Sequence, residues 1–202
     1  MLTLRSSMPS PFVRKVKIAA ALLGLADKIK LEPADTTNPS DSMRVQNPLG
    51  KIPILLTEDG AALFDSRVIV EYLDHLAGGG CIIPAEPKAR FAALRLQALC
   101  DGILDASILR VYEGRFRSEE KREQTWIDYQ TEKVTRALDW LEKNPPAVTA
   151  LPDVGQITLA CTLGYLDLRF EGAWRKSCPT LVKWHDDFAA RVPAFAQTRA
   201  EA

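Results

Sequence analysis

The chain contains little of what metal sites, membrane spans or nucleic-acid surfaces require. Its 202 residues include four cysteines and two histidines, and no two cysteines form a Cys-x-x-Cys pair, so we expect no bound metal and four reduced, mostly buried thiols. Lys plus Arg and Asp plus Glu number 26 each, which argues against nucleic acid as a partner. No run is apolar and long enough to cross a membrane, and the N-terminus lacks a secretory core. We therefore expect a cytoplasmic protein with no membrane partner.

Hydrophobic residues are plentiful, at 47% of the chain, and can build a substantial core. In the first part, periods typical of strands and helices alternate. The pattern predicts a strand, a helix, a second strand, a short helix near 40–46, a hairpin turning at 58–60, and a further helix. We interpret residues 1–77 as one small α/β domain.

A second, all-helical part follows a break in periodicity. Residues 78–87 contain three glycines and two prolines, and we interpret them as a linker. Beyond it we find no strand, and the spacing of apolar residues predicts helices over 88–117, 119–143, 153–170 and 179–192. The predicted fold class is therefore α/β plus all-α, with a helical domain over 88–202.

Several polar residues stand where helices are expected to begin. Ser10 and Ser66 are natural N-caps, and Asp153 with Gln156 has the spacing of a capping box. Arg14, Lys15 and Lys17 fall in the first turns of a helix, where cations oppose the helix dipole. We expect these three cations to form a solvated face of that helix.

Four segments in order carry a family resemblance: "SPFVRKV", "NPLGKIPIL", "LFDSRVIVEYL" and "PTLVKWHDDFAARVPAF". With them the chain resembles a cytosolic glutathione transferase over nearly its whole length. The resemblance implies a thioredoxin-like first domain and a helical second domain. Because Ser10 stands where thiol-transferring classes have a cysteine, the chain resembles most the serine-type theta- and zeta-like members.

The resemblance implies a binding site for glutathione as co-substrate. It implies a cis Ile52–Pro53 bond, with the backbone of Ile52 pairing with the tripeptide like an added strand; the alternative is an ordinary trans proline at a strand edge. Asp65 and Ser66 would hold the ammonium and carboxylate of the γ-glutamyl end. Lys51 would reach the glycyl carboxylate, or is simply solvated.

The resemblance assigns Ser10 the catalytic role of donating a hydrogen bond to the glutathione sulfur and favouring its thiolate. Ser7 is the alternative, since a one-turn error in placing the helix would exchange the two. Arg14 would add positive potential at the sulfur. Candidates to line the cleft for the second substrate, unless they are simply core, are Met8, Phe12, Ile108, Leu109 and Tyr112.

These features together predict an enzyme that adds the glutathione sulfur to a hydrophobic electrophilic small molecule. A non-catalytic adaptor that kept the fold is one alternative, and a glutathione-dependent reductase or peroxidase is another. Family members typically pair as homodimers, and we expect the same here.

Overall fold

A computed structural model describes residues 1–200 of the chain. Its first part is an α/β unit whose elements are β1 Leu2–Ser6, α1 Pro11–Leu22, β2 Ile29–Pro33, α2 Met43–Gln46, β3 Ile54–Leu56, β4 Ala62–Leu63 and α3 Ser66–Leu76. The predicted order of strands and helices in this part is confirmed.

The four strands form one sheet in the order β2-β1-β3-β4. β1 runs parallel to β2 and antiparallel to β3, with Arg5 opposite Ile54. β4 is antiparallel to β3, with Leu63 opposite Leu55. The carboxyl ends of β1 and β4 therefore meet the amino end of β3 at one end of the sheet, and the segments that leave the strands there become neighbours.

The second part is all helical, with α4 Pro87–Phe116, α5 Gln124–Lys143, α6 Val154–Phe170, α7 Pro179–Arg191 and α8 Pro193–Gln197. Nearly every residue of α6 is buried, so this helix forms the centre of the molecule. It crosses α4 closely at Gly155, where a Cβ atom would lie 2.7 Å from the carbonyl oxygen of Ala93. No described helix is long and apolar enough to span a membrane.

A buried carboxylate orders the segment between the two parts. Asp74, near the end of α3, accepts hydrogen bonds from the backbone N–H groups of Gly80, Cys81 and Ile82 at 2.7–3.0 Å. The carbonyl of Ile82 then accepts from the N–H of Val154 at the start of α6. The glycine-rich segment is thus tied to both parts of the molecule.

Most of the predicted helix ends are confirmed, and two are corrected. Ser10 caps α1, and Asp153 forms the full capping box with Gln156. The prediction of Ser66 as an N-cap is wrong, because Asp65 caps α3 and Ser66 is its first helical residue. The helix predicted over 119–143 begins only at Gln124, because residues 119–121 form a short 3-10 turn, the backbone is extended at Arg122, and Glu123 caps the helix instead.

The four cysteines are all free thiols, as predicted. Cys81 is exposed, and the other three are buried. Burial raises the pKa of the Cys161 thiol to about 12, so this thiol stays protonated at neutral pH.

Candidate active site

The sheet brings together three of the segments that the sequence singles out. The turn from Ser7 to Ser10 follows β1, Ile52 and Pro53 precede β3, and Asp65 with Ser66 follows β4. All three leave the sheet at the end where those strands meet. An extended ligand lying across this end contacts a helix start, a free backbone segment and a second helix start.

The segment before β3 offers backbone groups to such a ligand. The Ile52–Pro53 peptide bond is cis, as the resemblance implies. The N–H and C=O of Ile52 make no hydrogen bond to any other group of residues 1–200. Lys51 is exposed beside it, and its carbonyl accepts from the Asn47 side chain at 2.9 Å. Donor and acceptor on Ile52 are thus both available for pairing with an extended peptide.

The start of α3 provides the second set of polar groups. Asp65 is exposed, and one of its carboxylate oxygens accepts from the N–H of Arg67 at 2.9 Å. Ser66 is buried, and in the described chain its hydroxyl has no hydrogen-bond partner. A carboxylate and an unpaired hydroxyl at a helix N-terminus together suit a ligand that carries an ammonium and a carboxylate on one carbon.

Ser10 presents a hydroxyl at the N-terminus of α1. Its oxygen accepts from the N–H of Val13 at 3.3 Å, which leaves the hydroxyl proton free to donate. No acceptor for that proton is present among residues 1–200. Ser7 borders a separate, much smaller cavity of about 20 Å³ beside the same helix. The geometry therefore gives Ser10 a free donor at the positive end of a twelve-residue helix.

A buried ionic cluster joins the first domain to α4. It shows that the prediction of a solvated face was wrong for Lys15. Lys15 is fully buried instead of lying on a solvated face, and its Nζ donates to Asp101 Oδ1 at 2.7 Å. The other oxygen of Asp101 accepts from Arg67 Nε at 2.8 Å. Asp101 lies in the middle of α4, so one carboxylate joins three helices.

Asp105 follows Asp101 by one helical turn and faces the same charges. Desolvation and the charge of Asp101 raise the pKa of its carboxyl, while Arg67 and Lys51 act in the opposite direction. Sequence reasoning missed Lys15, Arg67, Asp101 and Asp105 as site residues. Only Arg67 carried a signal, since it directly follows the Asp65–Ser66 pair.

A cleft of about 840 Å³ opens on the other side of Ser10. Its walls come from the β1–α1 turn, the second half of α6, α7, and the segment from α8 to residue 200. Of the predicted site residues, it contains Met8, Ser10 and Arg14. Phe12, Ile108, Leu109 and Tyr112 lie outside it, and their part in binding a second substrate stays a prediction.

The outer part of the cleft contains a second polar cluster. Both oxygens of Asp167 are occupied, since Arg175 donates to them at 2.9 and 2.6 Å and the indole N–H of Trp174 donates at 2.8 Å. His185 lies against this cluster and is 6% exposed. Burial lowers the pKa of His185 to about 4, so its imidazole is neutral at pH 7.

Comparisons with known proteins agree with this architecture. Residues 9–76 match the model of the glutathione S-transferase N-terminal domain, and residues 115–187 match that of the C-terminal domain. The chain is also 33% identical over 196 residues to the uncharacterized GST-like protein YibF of Escherichia coli, covering 95% of each chain. The chain belongs to the glutathione S-transferase family.

Two solved glutathione transferases show how closely the fold is shared. A family member from Pseudomonas fluorescens Pf-5, crystallised with bound glutathione, superposes with a TM-score of 0.93 at 39% identity, over 100% of both chains. A glutathione S-transferase from Methylobacillus flagellatus, also with glutathione bound, gives a TM-score of 0.88 at 34% identity, again over both full chains. The theta- or zeta-like assignment within the transferases stays a prediction.

Proposed function

We propose that this protein is a glutathione transferase that activates the glutathione thiol with Ser10. The observation that carries the proposal is the place of Ser10. Its unpaired hydroxyl proton lies between the polar end of the sheet and the large cleft. A thiol held at Ser10 therefore faces the space in which a second substrate can bind.

The residues at the end of the sheet would bind glutathione through its two ends and its backbone. Ile52 offers a free N–H and C=O, Asp65 and Ser66 suit the γ-glutamyl ammonium and carboxylate, and Lys51 suits the glycyl carboxylate. Relatives at 34–39% identity hold glutathione in the same fold, which supports this assignment. Within residues 1–200 the backbone groups of Ile52 and the hydroxyl of Ser66 have no hydrogen-bond partner, so they are available to such a ligand.

The chemistry assigned to Ser10 is stabilisation of a charged sulfur. A free thiol has a pKa of about 8.5 and is only slightly ionised at pH 7. A hydrogen bond from Ser10 and the positive end of α1 both favour the thiolate. A decrease of about two pKa units, worth ~2.7 kcal/mol, makes the thiolate the dominant form. The sulfur then attacks an electrophilic carbon of a partly apolar small molecule bound in the cleft.

Turnover is the direct test of this proposal. The purified protein is titrated with glutathione by calorimetry and then assayed with a panel of electrophiles: aryl halides, benzyl halides, enones and peroxides. Conjugation of a halide or an enone is the expected result. Absence of glutathione binding at millimolar concentration contradicts the proposal and favours an adaptor protein, whereas turnover of peroxides alone favours a peroxidase.

We also propose that the protein is a homodimer that pairs through α3 and α4. Apolar side chains stand exposed on these neighbouring helices, with Val68 46%, Leu76 46% and Phe91 69% exposed. Exposed apolar groups clustered on adjacent helices are typical of a surface that another chain covers. We expect light scattering at micromolar concentration to give twice the chain mass of 22.4 kDa. A mass of one chain contradicts the proposal.

A further inference from the structure

Arg14 brings a positive charge into the wall of the cleft, one helical turn after Ser10. Ser10 caps α1 and Arg14 lies four residues later, which is about 6 Å along the helix axis. The guanidinium lies beneath α8, where one Nη donates to the carbonyl of Phe195 at 2.6 Å and Nε donates to the hydroxyl of Thr198 at 3.4 Å. Its carbon also lies 3.9 Å from the centre of the Phe195 ring. These contacts hold the planar guanidinium of Arg14 in one orientation.

The other side of the guanidinium faces the middle of α6. Its second Nη would lie 2.6 Å from a Cβ atom at position 164, and the space exists because that residue is Gly164. This nitrogen donates to no group of residues 1–200. A guanidinium has five N–H donors, and that of Arg14 makes only two hydrogen bonds within residues 1–200.

No described carboxylate forms an ion pair with Arg14. The acidic residues of the cleft wall are Asp167, Glu171 and Asp186. Asp167 is fully engaged by Arg175 and Trp174, and none of the three lies within 4.0 Å of the Arg14 nitrogens. Glu171 and Asp186 are exposed at the rim. Burial lowers the pKa of Arg14, the charge of Arg199 adds to the decrease, and the charge of Asp167 opposes it.

We propose that Arg14 forms an anion-binding subsite in the second-substrate cleft, and that the electrophiles this protein prefers carry a carboxylate. The inference rests on the proposed function, because Ser10 sets where the reactive carbon lies. A carboxylate that reaches the unpaired Nη of Arg14 forms charge-assisted hydrogen bonds with a guanidinium that is already held in place. The rest of such a substrate lies between Met8, Tyr165 and Leu168, which also line the cleft.

A matched pair of substrates distinguishes binding of a carboxylate at Arg14 from the general reactivity of the electrophile. 4-(Bromomethyl)benzoate and its methyl ester share the same reactive carbon and differ in charge. In both, the glutathione sulfur forms a C–S bond to the benzylic carbon, and bromide leaves with the electron pair of the C–Br bond. We expect wild-type kcat/KM to favour the benzoate, with the difference mainly in KM.

Substitution of Arg14 assigns that preference to one side chain. Arg14→Met should lower kcat/KM for the benzoate by about 10- to 100-fold more than for the methyl ester, the effect of losing a charged hydrogen bond. Arg14→Lys should retain part of the preference for the benzoate, because it keeps the positive charge but lacks the planar guanidinium. Arg136→Met, an exposed arginine on α5, is the matched control. Equal losses on both substrates would overturn the proposal.

A binding measurement tests the subsite even if the protein proves not to be a glutathione transferase. Wild-type protein without glutathione is titrated by calorimetry with 4-methylbenzoate and with the neutral 4-methylbenzamide. Tighter binding of the benzoate, reduced in Arg14→Lys, supports the subsite even if glutathione does not bind. If the wild-type protein does not bind the benzoate more tightly than the benzamide, the proposal is overturned. This comparison uses wild-type protein alone, so it does not depend on whether a variant folds.

Discussion

At the scale of single residues, Ser10 has two hydrogen-bonding tasks. Its oxygen accepts from the backbone of Val13 and so fixes the start of α1. Its proton is free, so the same hydroxyl can donate to an anion in front of the helix. The cap holds the hydroxyl at the helix N-terminus, where the dipole adds to its effect on a negative charge.

We predict that Ser10→Ala slows turnover by about one to two orders of magnitude below the wild-type thiol pKa, and by about 3- to 25-fold at pH 7, because the pKa of the bound thiol rises by about one to two units. The loss should be greatest below the wild-type thiol pKa and should disappear at high pH, where the sulfur is ionised in both proteins. The pH dependence of kcat/KM measures this shift. Loss of the cap should also lower the free energy of unfolding by about 1 kcal/mol.

Two matched variants control this prediction. Ser10→Thr keeps both the hydroxyl and the cap and should retain most of the activity. Ser7→Ala removes a hydroxyl that borders the smaller cavity and should have little effect. If Ser7→Ala shifts the pH profile and Ser10→Ala does not, the roles of the two serines are exchanged.

The sequence predicted the roles of residues whose hydrogen-bond partners lie close to them along the chain. Ser10 and the Asp153–Gln156 box depend on partners three residues away. Lys15 depends on Asp101, 86 residues further along the chain. Helical spacing alone made Lys15 look like part of a solvated face, because nothing in its neighbourhood reveals a buried carboxylate from another helix. Long-range charge pairing of this kind leaves no local pattern.

At the scale of elements, Asp101 ties α4 to the first domain through Lys15 of α1 and Arg67 of α3. Both Lys15 and Asp101 are fully buried, so each depends on the other for compensation of its charge. Arg67 is the residue after Ser66, and the same contact therefore orients the start of α3. The cluster connects the packing of the two domains to the geometry of the proposed glutathione site.

We predict that Asp101→Asn destabilises the protein by about 3–5 kcal/mol, because it leaves the Lys15 ammonium buried and unpaired. Urea unfolding followed by circular dichroism measures the change. Asp105→Asn, one turn later on the same helix, is the control and should alter stability far less. The double variant Lys15→Met with Asp101→Leu should recover much of the loss, since it removes both charges together. A single Asp101→Asn variant as stable as wild type contradicts this account.

Element order followed from the sequence better than element ends did. Apolar patterns predicted every strand and long helix, because burial of one face sets a period in most of them and burial of nearly all of α6 makes that helix apolar throughout. The start of α5 was misplaced because residues 119–121 form only a short 3-10 turn. The short α8 was not predicted, since five residues carry little periodicity. Its contact with Arg14 nevertheless shapes the cleft.

At the scale of the whole molecule, the packing of the last helices makes stability sensitive to acid. His185 is enclosed by the rings of Trp174 and Phe195, at 6.1 and 5.1 Å between centroids. Burial is the main cause of its low pKa. The charges of Arg175 and Arg14 add to the decrease, and those of Asp167 and Asp186 oppose it.

We predict that the free energy of unfolding falls as the pH drops from about 6.5 toward 4, because the unfolded chain protonates His185 and the folded chain does not. The contribution of His185 is on the order of 3 kcal/mol, fully present above pH 6.5 and lost near pH 4. Urea unfolding across this range should be less dependent on pH in His185→Gln than in wild type. His75→Gln, at the exposed histidine, should behave like wild type. Identical pH profiles for all three proteins contradict this prediction.

The central claim is that the molecule holds glutathione at the end of its sheet and ionises the thiol beside Ser10. Ultraviolet titration of the thiolate in the wild-type protein, with glutathione bound, tests it most directly. The account predicts a midpoint about two units below the value of about 8.5 for a free thiol. A midpoint equal to that of free glutathione, or no saturable binding at millimolar glutathione, would contradict it.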